Sequence, residues 1–182
     1  MKRRVLLVRH TEVAVRWSRR CYGCSDVGLS RAGRLHAMEL AAKLAMQSVT
    51  ALVHSGLERA AYLARRIAEM KKLTPIADAR WRERNFGTWE GRGWHSIWKE
   101  TGSAMDRLLD EPAVYRPGGG ETTLELAERS AAAWAALPAE GVIVVVSHGG
   151  PIAAVRTLLA RAALTDILSY RVGTGAVIAL DR

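Results

Sequence analysis

Two short apolar runs rich in valine lie at residues 4–8 and 141–146. A strand with one wet face would alternate apolar and polar positions, so continuous runs of this length predict strands covered on both faces of a parallel sheet. Between them the apolar period changes to that of a helix. Leu57, Ala60, Ala61, Ala64, Ile67 and Ala68 form one stripe, and Leu35, Met38, Ala42 and Ala45 form another after Ser30, a suitable N-cap. Each predicts an amphipathic helix with that stripe buried. Thr122 and Glu125 have capping-box spacing and open a helix that runs through Trp134 and stops before Pro138, while Pro151 fits the first turn of a further helix. Residues 51–54, 74–77 and 176–180 read as shorter strands. Strands alternating with helices predict an α/β fold, a three-layer α/β/α sandwich around a mostly parallel central sheet.

The rhythm breaks between Gly91 and Gly120, where glycines surround one or two short helical pieces. This reads as an insertion, residues 91–120, lying over the sheet edge and the active site. With no internal repeat and no low-complexity linker, residues 1–182 read as one domain.

Composition narrows the function classes. With 49% apolar and 25% charged residues the chain has an ordinary globular balance, and 182 residues suffice for a core without metal or disulfide staples. The formal net charge of +9 comes mostly from arginines spread along the chain, which points to small anionic substrates before nucleic acid. An anion- or RNA-binding module remains the non-enzymatic alternative. Cys21 and Cys24 form a lone C-x-x-C without the second pair that a zinc site needs, so reduced thiols are expected. The opening apolar run is too short for a signal peptide and no stretch reaches membrane-spanning length, so a cytoplasmic protein without membrane contact is expected. A homodimer is allowed.

The candidate chemistry sits at the two strand tips. Arg9-His10-Thr11-Glu12 follows the first apolar run and Ser147-His148-Gly149-Gly150 follows the later one. Open α/β sheets bind ligands at the carboxyl ends of their strands, and a helix opening at Pro151 adds backbone amides and a dipole suited to an anion.

These motifs, with Ser55-Gly56-Leu57-Glu58-Arg59-Ala60 and the Glu83-to-Gly91 segment between them, resemble the histidine phosphatase superfamily, which includes the cofactor-dependent phosphoglycerate mutases. The resemblance covers nearly the whole chain. It implies that His10 attacks phosphorus, that Arg9 and Arg59 hold the phosphoryl oxygens, that His148 adds a hydrogen bond and that Glu83 is the proton donor. The types suit the chemistry: a neutral imidazole is a nucleophile near pH 7, and a guanidinium fork matches phosphate oxygens. Thr11, Arg16 and Gly149 complete the expected substrate contacts. Thr11 stands where the superfamily usually has glycine, and Arg16 where the mutase-like branch usually has asparagine. No metal or other cofactor is implied.

Rival phosphatase designs fit less well. There is no glycine loop ending in Lys-Ser or Lys-Thr, and the sixth positions after Cys21 and Cys24 hold Val27 and Ser30 rather than arginine. Acidic residues are scattered rather than clustered as a two-metal site requires.

Within the superfamily, Cys21-Tyr22-Gly23 with Asp26 and Leu29, and Gly118-Gly119-Gly120-Glu121, are most similar to the α-ribazole phosphatases of cobalamin biosynthesis. The expected substrate is therefore a phosphorylated small molecule, α-ribazole 5′-phosphate. A broad-specificity phosphatase and a phosphoglycerate mutase are the enzymatic alternatives. Trp89, Trp94 and Trp98 read either as a wall against a flat substrate or as core, Arg19 and Arg20 as a solvated basic loop, and His36, His54 and His95 as surface or packing residues.

Overall fold

A computed structural model describes residues 2–181. In chain order its elements are β1 (Arg3–Arg9), α1 (Arg31–Ala45), β2 (Val49–His54), α2 (Glu58–Lys71), β3 (Ile76–Ala77), α3 (Trp94–Thr101), α4 (Arg107–Asp110), α5 (Thr123–Ala135), β4 (Gly141–Ser147), α6 (Gly149–Leu159) and β5 (Val177–Asp181), with short 3-10 turns between several of them. The strands form one sheet in the order β3-β2-β4-β1-β5. β1, β2, β3 and β4 run parallel, and β5 adds an antiparallel edge beside β1.

The apolar runs are continuous because both sheet faces are dry. Leu6, Val8, Leu52, Val144 and Val146 point to the side covered by α1 and α2. Their neighbours Val5, Leu7, Val53, Ile143 and Val145 point to the opposite side, onto Trp134 of α5, Ile152 and Val155 of α6, and Trp81. Period-two alternation thus divides one buried run between two cores, which is the three-layer α/β/α arrangement.

The helix starts follow local chemistry. Ser30 Oγ accepts from Gly33 N at 2.8 Å, and at α5 both halves of the capping box close at 3.0 Å, Thr122 Oγ1 to Glu125 N and Glu125 Oε2 to Thr122 N. The α2 stripe is buried as the spacing predicts, with Arg59 and Leu63 added to it.

The stripe expected on α1 is not the one that packs. Gly33, Ala37, Leu40, Ala41 and Leu44 are buried, whereas Leu35 and Met38 are 55% and 48% exposed. Both stripes have helical spacing, and small residues decide between them. Ala37 and Ala41 share a cluster with Ala60 and Ala64 of α2, and a Cβ at Gly33 would collide with the backbone of Glu12. Only the face that carries these small residues allows that approach. The expected strand at 74–77 also shortens to the two residues of β3.

Segment 91–120 folds into α3, α4 and 3-10 turns. Trp89, Ile97 and Cys21 form a separate small core there, with Phe86, Trp94, Met105 and Tyr115 against it. No helix among the described residues is long and apolar enough to cross a membrane.

Candidate active site

The sheet register sets the site. Arg9 of β1 pairs with Ser147 of β4, and the His10 amide donates to the Ser147 carbonyl at 3.0 Å, so His10 and His148 leave neighbouring strands at the same level. Their ring centroids lie 5.1 Å apart at an interplanar angle of 57°, and the side chains are 1% and 0% exposed. His54, at the end of β2, is level with Val146, which brings Ser55 to the same edge.

Hydrogen bonding assigns the tautomers. His10 Nδ1 lies 2.7 Å from the Thr11 carbonyl oxygen, which can only accept, so Nδ1 carries the proton and Nε2 keeps its lone pair. Arg59 Nε donates to His148 Nδ1 at 3.2 Å, which leaves the proton on His148 Nε2, 2.7 Å from Ser55 Oγ. Burial, then the Arg59 cation, lowers the His10 pKa to about 3. The same two causes, joined by His10 itself, push His148 well down. Both rings are therefore neutral at pH 7, and the His10 Nε2 lone pair is available without a separate base.

That neutrality has a stability consequence. Between 6.5 and about 3 the unfolded chain protonates His10 while the folded protein does not, so this contribution is complete above pH 6.5 and is lost as pH falls. The melting temperature is expected to drop from pH 7 to about pH 5, where most carboxylates remain ionised. The slope should be shallower in His10→Gln. Equal slopes in the two proteins would contradict the assignment.

Arg59 is fully buried and fixed at three points, donating from Nε to His148, from Nη1 to Ser25 O at 2.7 Å and from Nη2 to Gly23 O at 2.5 Å. One N–H on each terminal nitrogen remains. Arg9 donates from Nη1 to Val172 O at 2.6 Å, and its Nε is buried with no acceptor among the described residues. Gly149 packs beside that guanidinium, where a Cβ would make an ordinary contact, 3.4 Å from its central carbon.

Glu83 takes one amide from the first turn of α6, that of Gly150. Its Oε1 accepts from Gly150 N and Arg84 N, each at 3.0 Å. Gly150 has to be glycine for this, because a Cβ would overlap Oε1. Arg129 of α5 holds the segment from behind, donating to the carbonyls of Arg80, Arg82 and Glu83 at 2.7, 2.7 and 3.1 Å.

A cavity of roughly 480 Å³ opens beside Arg9, Glu83 and Gly150. Beyond them its wall is largely apolar, with Phe86, Trp94, Met105, Leu108, Leu126 and Ile167, and it carries the further cations Arg20, Arg84 and Arg171. Segment 91–120 thus contributes one side of the cavity.

A family model described as the histidine phosphatase superfamily (branch 1) matches residues 5–182. The chain belongs to the histidine phosphatase superfamily. It is 32% identical over 171 residues to a glucosyl-3-phosphoglycerate phosphatase of Mycobacterium tuberculosis (strain CDC 1551 / Oshkosh), a match spanning 87% of this chain and 76% of the relative. It is 34% identical over 148 residues to a probable phosphoglycerate mutase, GpmB, of Yersinia pestis (strain Pestoides F), spanning 80% and 69%. Among solved structures, the α-ribazole phosphatase of Shigella flexneri superposes with a TM-score of 0.85 at 24% identity, over 97% of this chain and 89% of that one, a likeness of fold.

In this member of the superfamily several expected contacts lie elsewhere. Thr11 turns its hydroxyl away, donating to Gly33 O at 2.7 Å, and so ties the first loop to α1. Arg16 lines a separate shallow groove with Arg19 and Ser96 and is absent from the cavity wall, because the 3-10 turn Val15–Trp17 carries it outward. Arg20, read from sequence as a solvated loop residue, lines both. His148 has no free N–H, so a hydrogen bond to a phosphoryl group requires it to exchange a partner. Of the tryptophans, Trp94 faces the cavity, Trp89 is core and Trp98 is 62% exposed.

Sequence reading missed Ser55 as the partner of His148, Gly150 as the partner of Glu83, and Arg84, which lines the cavity while anchored to Glu121 O and Thr123 Oγ1 at 3.0 and 3.1 Å. Gly150 was the findable one, since a paired glycine opening a helix marks close approach. Cys21 and Cys24 are free thiols. Burial, with Glu90 nearby, pushes them up to about 12 and about 11, so neither is a ready nucleophile.

Proposed function

We propose that the protein is a phosphomonoesterase working through a phosphohistidine on His10. The observation that carries this reading is the His10 tautomer: a neutral, buried ring with its Nε2 lone pair free, beside the guanidinium groups of Arg9 and Arg59. Nε2 forms a bond to phosphorus as the bond from phosphorus to the ester oxygen breaks. Arg9 and Arg59 counter the charge of the transferring group, and Glu83 supplies the proton the departing alkoxide needs. Water then attacks the phosphohistidine with Glu83 as base, releasing inorganic phosphate and restoring the neutral ring.

The proposed substrate is α-ribazole 5′-phosphate. A flat benzimidazole suits a wall in which Trp94 and Phe86 meet edge to face, centroids 5.5 Å apart at 84°, flanked by aliphatic side chains. Phosphate release from a panel of α-ribazole 5′-phosphate, glucosyl-3-phosphoglycerate, 3-phosphoglycerate, nucleotides and sugar phosphates tests this, with isomerisation of 3-phosphoglycerate followed alongside. The first should give the highest kcat/KM. Trp94→Ala should raise its KM roughly tenfold while leaving inorganic phosphate affinity unchanged, the loss expected for one aromatic contact and its buried area. Carboxylated phosphoesters are the second reading, supported by Arg20 and Arg171 on the same wall and by the mycobacterial relative. A panel led by them, with Trp94→Ala neutral, would favour it.

A further inference from the structure

Glu90 is a half-buried carboxylate satisfied entirely by neutral donors. Its Oε1 accepts from Cys24 N at 3.0 Å, Cys24 Sγ at 3.1 Å and Phe86 N at 3.1 Å, and its Oε2 accepts from Ser25 N at 2.7 Å and from the Ser25 hydroxyl. Burial pushes its pKa up, but the hydrogen bonds from Ser25, Cys24 and Phe86 outweigh it and leave the carboxyl below its ordinary value, so Glu90 is an anion at neutral pH. A carboxylate so placed, with no ion-pair partner in hydrogen-bond reach among the described residues, needs a reason beyond solubility.

The far side of the same loop gives that reason. In a trans peptide the carbonyl and the N–H point in opposite directions. The Gly23–Cys24 peptide turns its N–H to Glu90 Oε1 and its carbonyl oxygen to Arg59 Nη2, so one peptide dipole lies between an anion and a cation and is aligned by both. The Ser25 carbonyl takes Arg59 Nη1 while the Ser25 amide and hydroxyl are held by Glu90 Oε2. Gly23 permits the approach, since a Cβ there would run into Glu90 Oε1 and the Arg84 carbonyl. Arg59 in turn donates to His148, so the chain of contacts runs from Glu90 through one loop to the histidine pair.

We propose that Glu90 is a positioning residue that, by clamping the 23–25 loop, sets the guanidinium of Arg59 and thereby the affinity of the site for a phosphoryl group. The proposal rests on the phosphatase reading, in which Arg59 meets that group. Inorganic phosphate titrated by calorimetry into the full chain is the test, in wild type, Glu90→Gln, Arg59→Lys and the double variant. Glu90→Gln keeps the size but presents an amide to donors; it should weaken phosphate binding about tenfold, the scale of a lost charge-assisted hydrogen bond. In the Arg59→Lys background the same change should have less than about a twofold effect, because the group it positions is gone.

A merely structural role would lower the melting temperature yet weaken phosphate binding by the same factor in both backgrounds, and that result would overturn the proposal. Unchanged phosphate affinity in Glu90→Gln would also overturn it. If Glu90→Gln fails to fold, Glu90→Asp, which keeps the charge and shortens its reach, enters the same cycle with the same criterion. A wild-type protein that binds no phosphate removes the phosphatase reading itself, and this proposal falls with it.

Discussion

Replacing His10 by alanine should lower kcat by on the order of 10⁴-fold or more, the scale of removing a catalytic nucleophile. No neighbouring group can stand in. Both ring nitrogens of His148 are engaged, by Arg59 Nε and Ser55 Oγ, and the nearby thiols are held protonated. The change removes a ring but no cation, so Arg9 and Arg59 remain and phosphate binding should persist. Phosphate release by His10→Ala within tenfold of wild type would take His10 out of the mechanism.

Glu83→Gln should produce the second largest effect, and its size should depend on the leaving group. Gln keeps an oxygen to accept from Gly150 N and Arg84 N, so the local structure should hold. What is lost is a group able to give and take a proton, worth ~10²- to 10⁴-fold on an alkyl phosphate. An aryl phosphate such as p-nitrophenyl phosphate leaves without a proton, so its first step should be nearly unimpaired while hydrolysis of the phosphohistidine slows. Stopped-flow measurement should then show a burst of about one equivalent of nitrophenol followed by slow turnover. Equal losses on both substrates without a burst would assign the proton transfer to another group.

The histidine pair was legible in the sequence because each ring sits just past an apolar run, and parallel pairing of two such runs brings their ends level. The register Arg9 to Ser147 is the physical form of that inference. Glu83 was legible only through resemblance. It lies on irregular backbone between the 3-10 turns Ala79–Trp81 and Gly87–Trp89, where no periodicity fixes direction, and contacts from Arg129 set its place.

The face of α1 was misread because periodicity counts bulky apolar residues. The packing there is set by Gly33, Ala37 and Ala41, whose value lies in what they lack. Arg16 lies off the cavity wall and Arg20 on it for reasons spacing does not show: Arg16 sits in the 3-10 turn Val15–Trp17, while Arg20 donates to the carbonyl of Gly91, distant in sequence. Glu90 lies within the Glu83-to-Gly91 segment that carries the resemblance, but its contacts are with backbone amides of a loop distant in sequence, which side-chain spacing cannot show.

The central claim is that a phosphoryl group passes through a bond to nitrogen. Rapid acid-free quenching of the enzyme during turnover, followed by mass spectrometry of the peptide containing Arg9 and His10, tests it most directly. The account predicts one phosphoryl group on His10, labile to acid and stable to base, that is absent in His10→Ala and accumulates in Glu83→Gln. Turnover with no phosphorylated histidine in either the wild type or Glu83→Gln would contradict it.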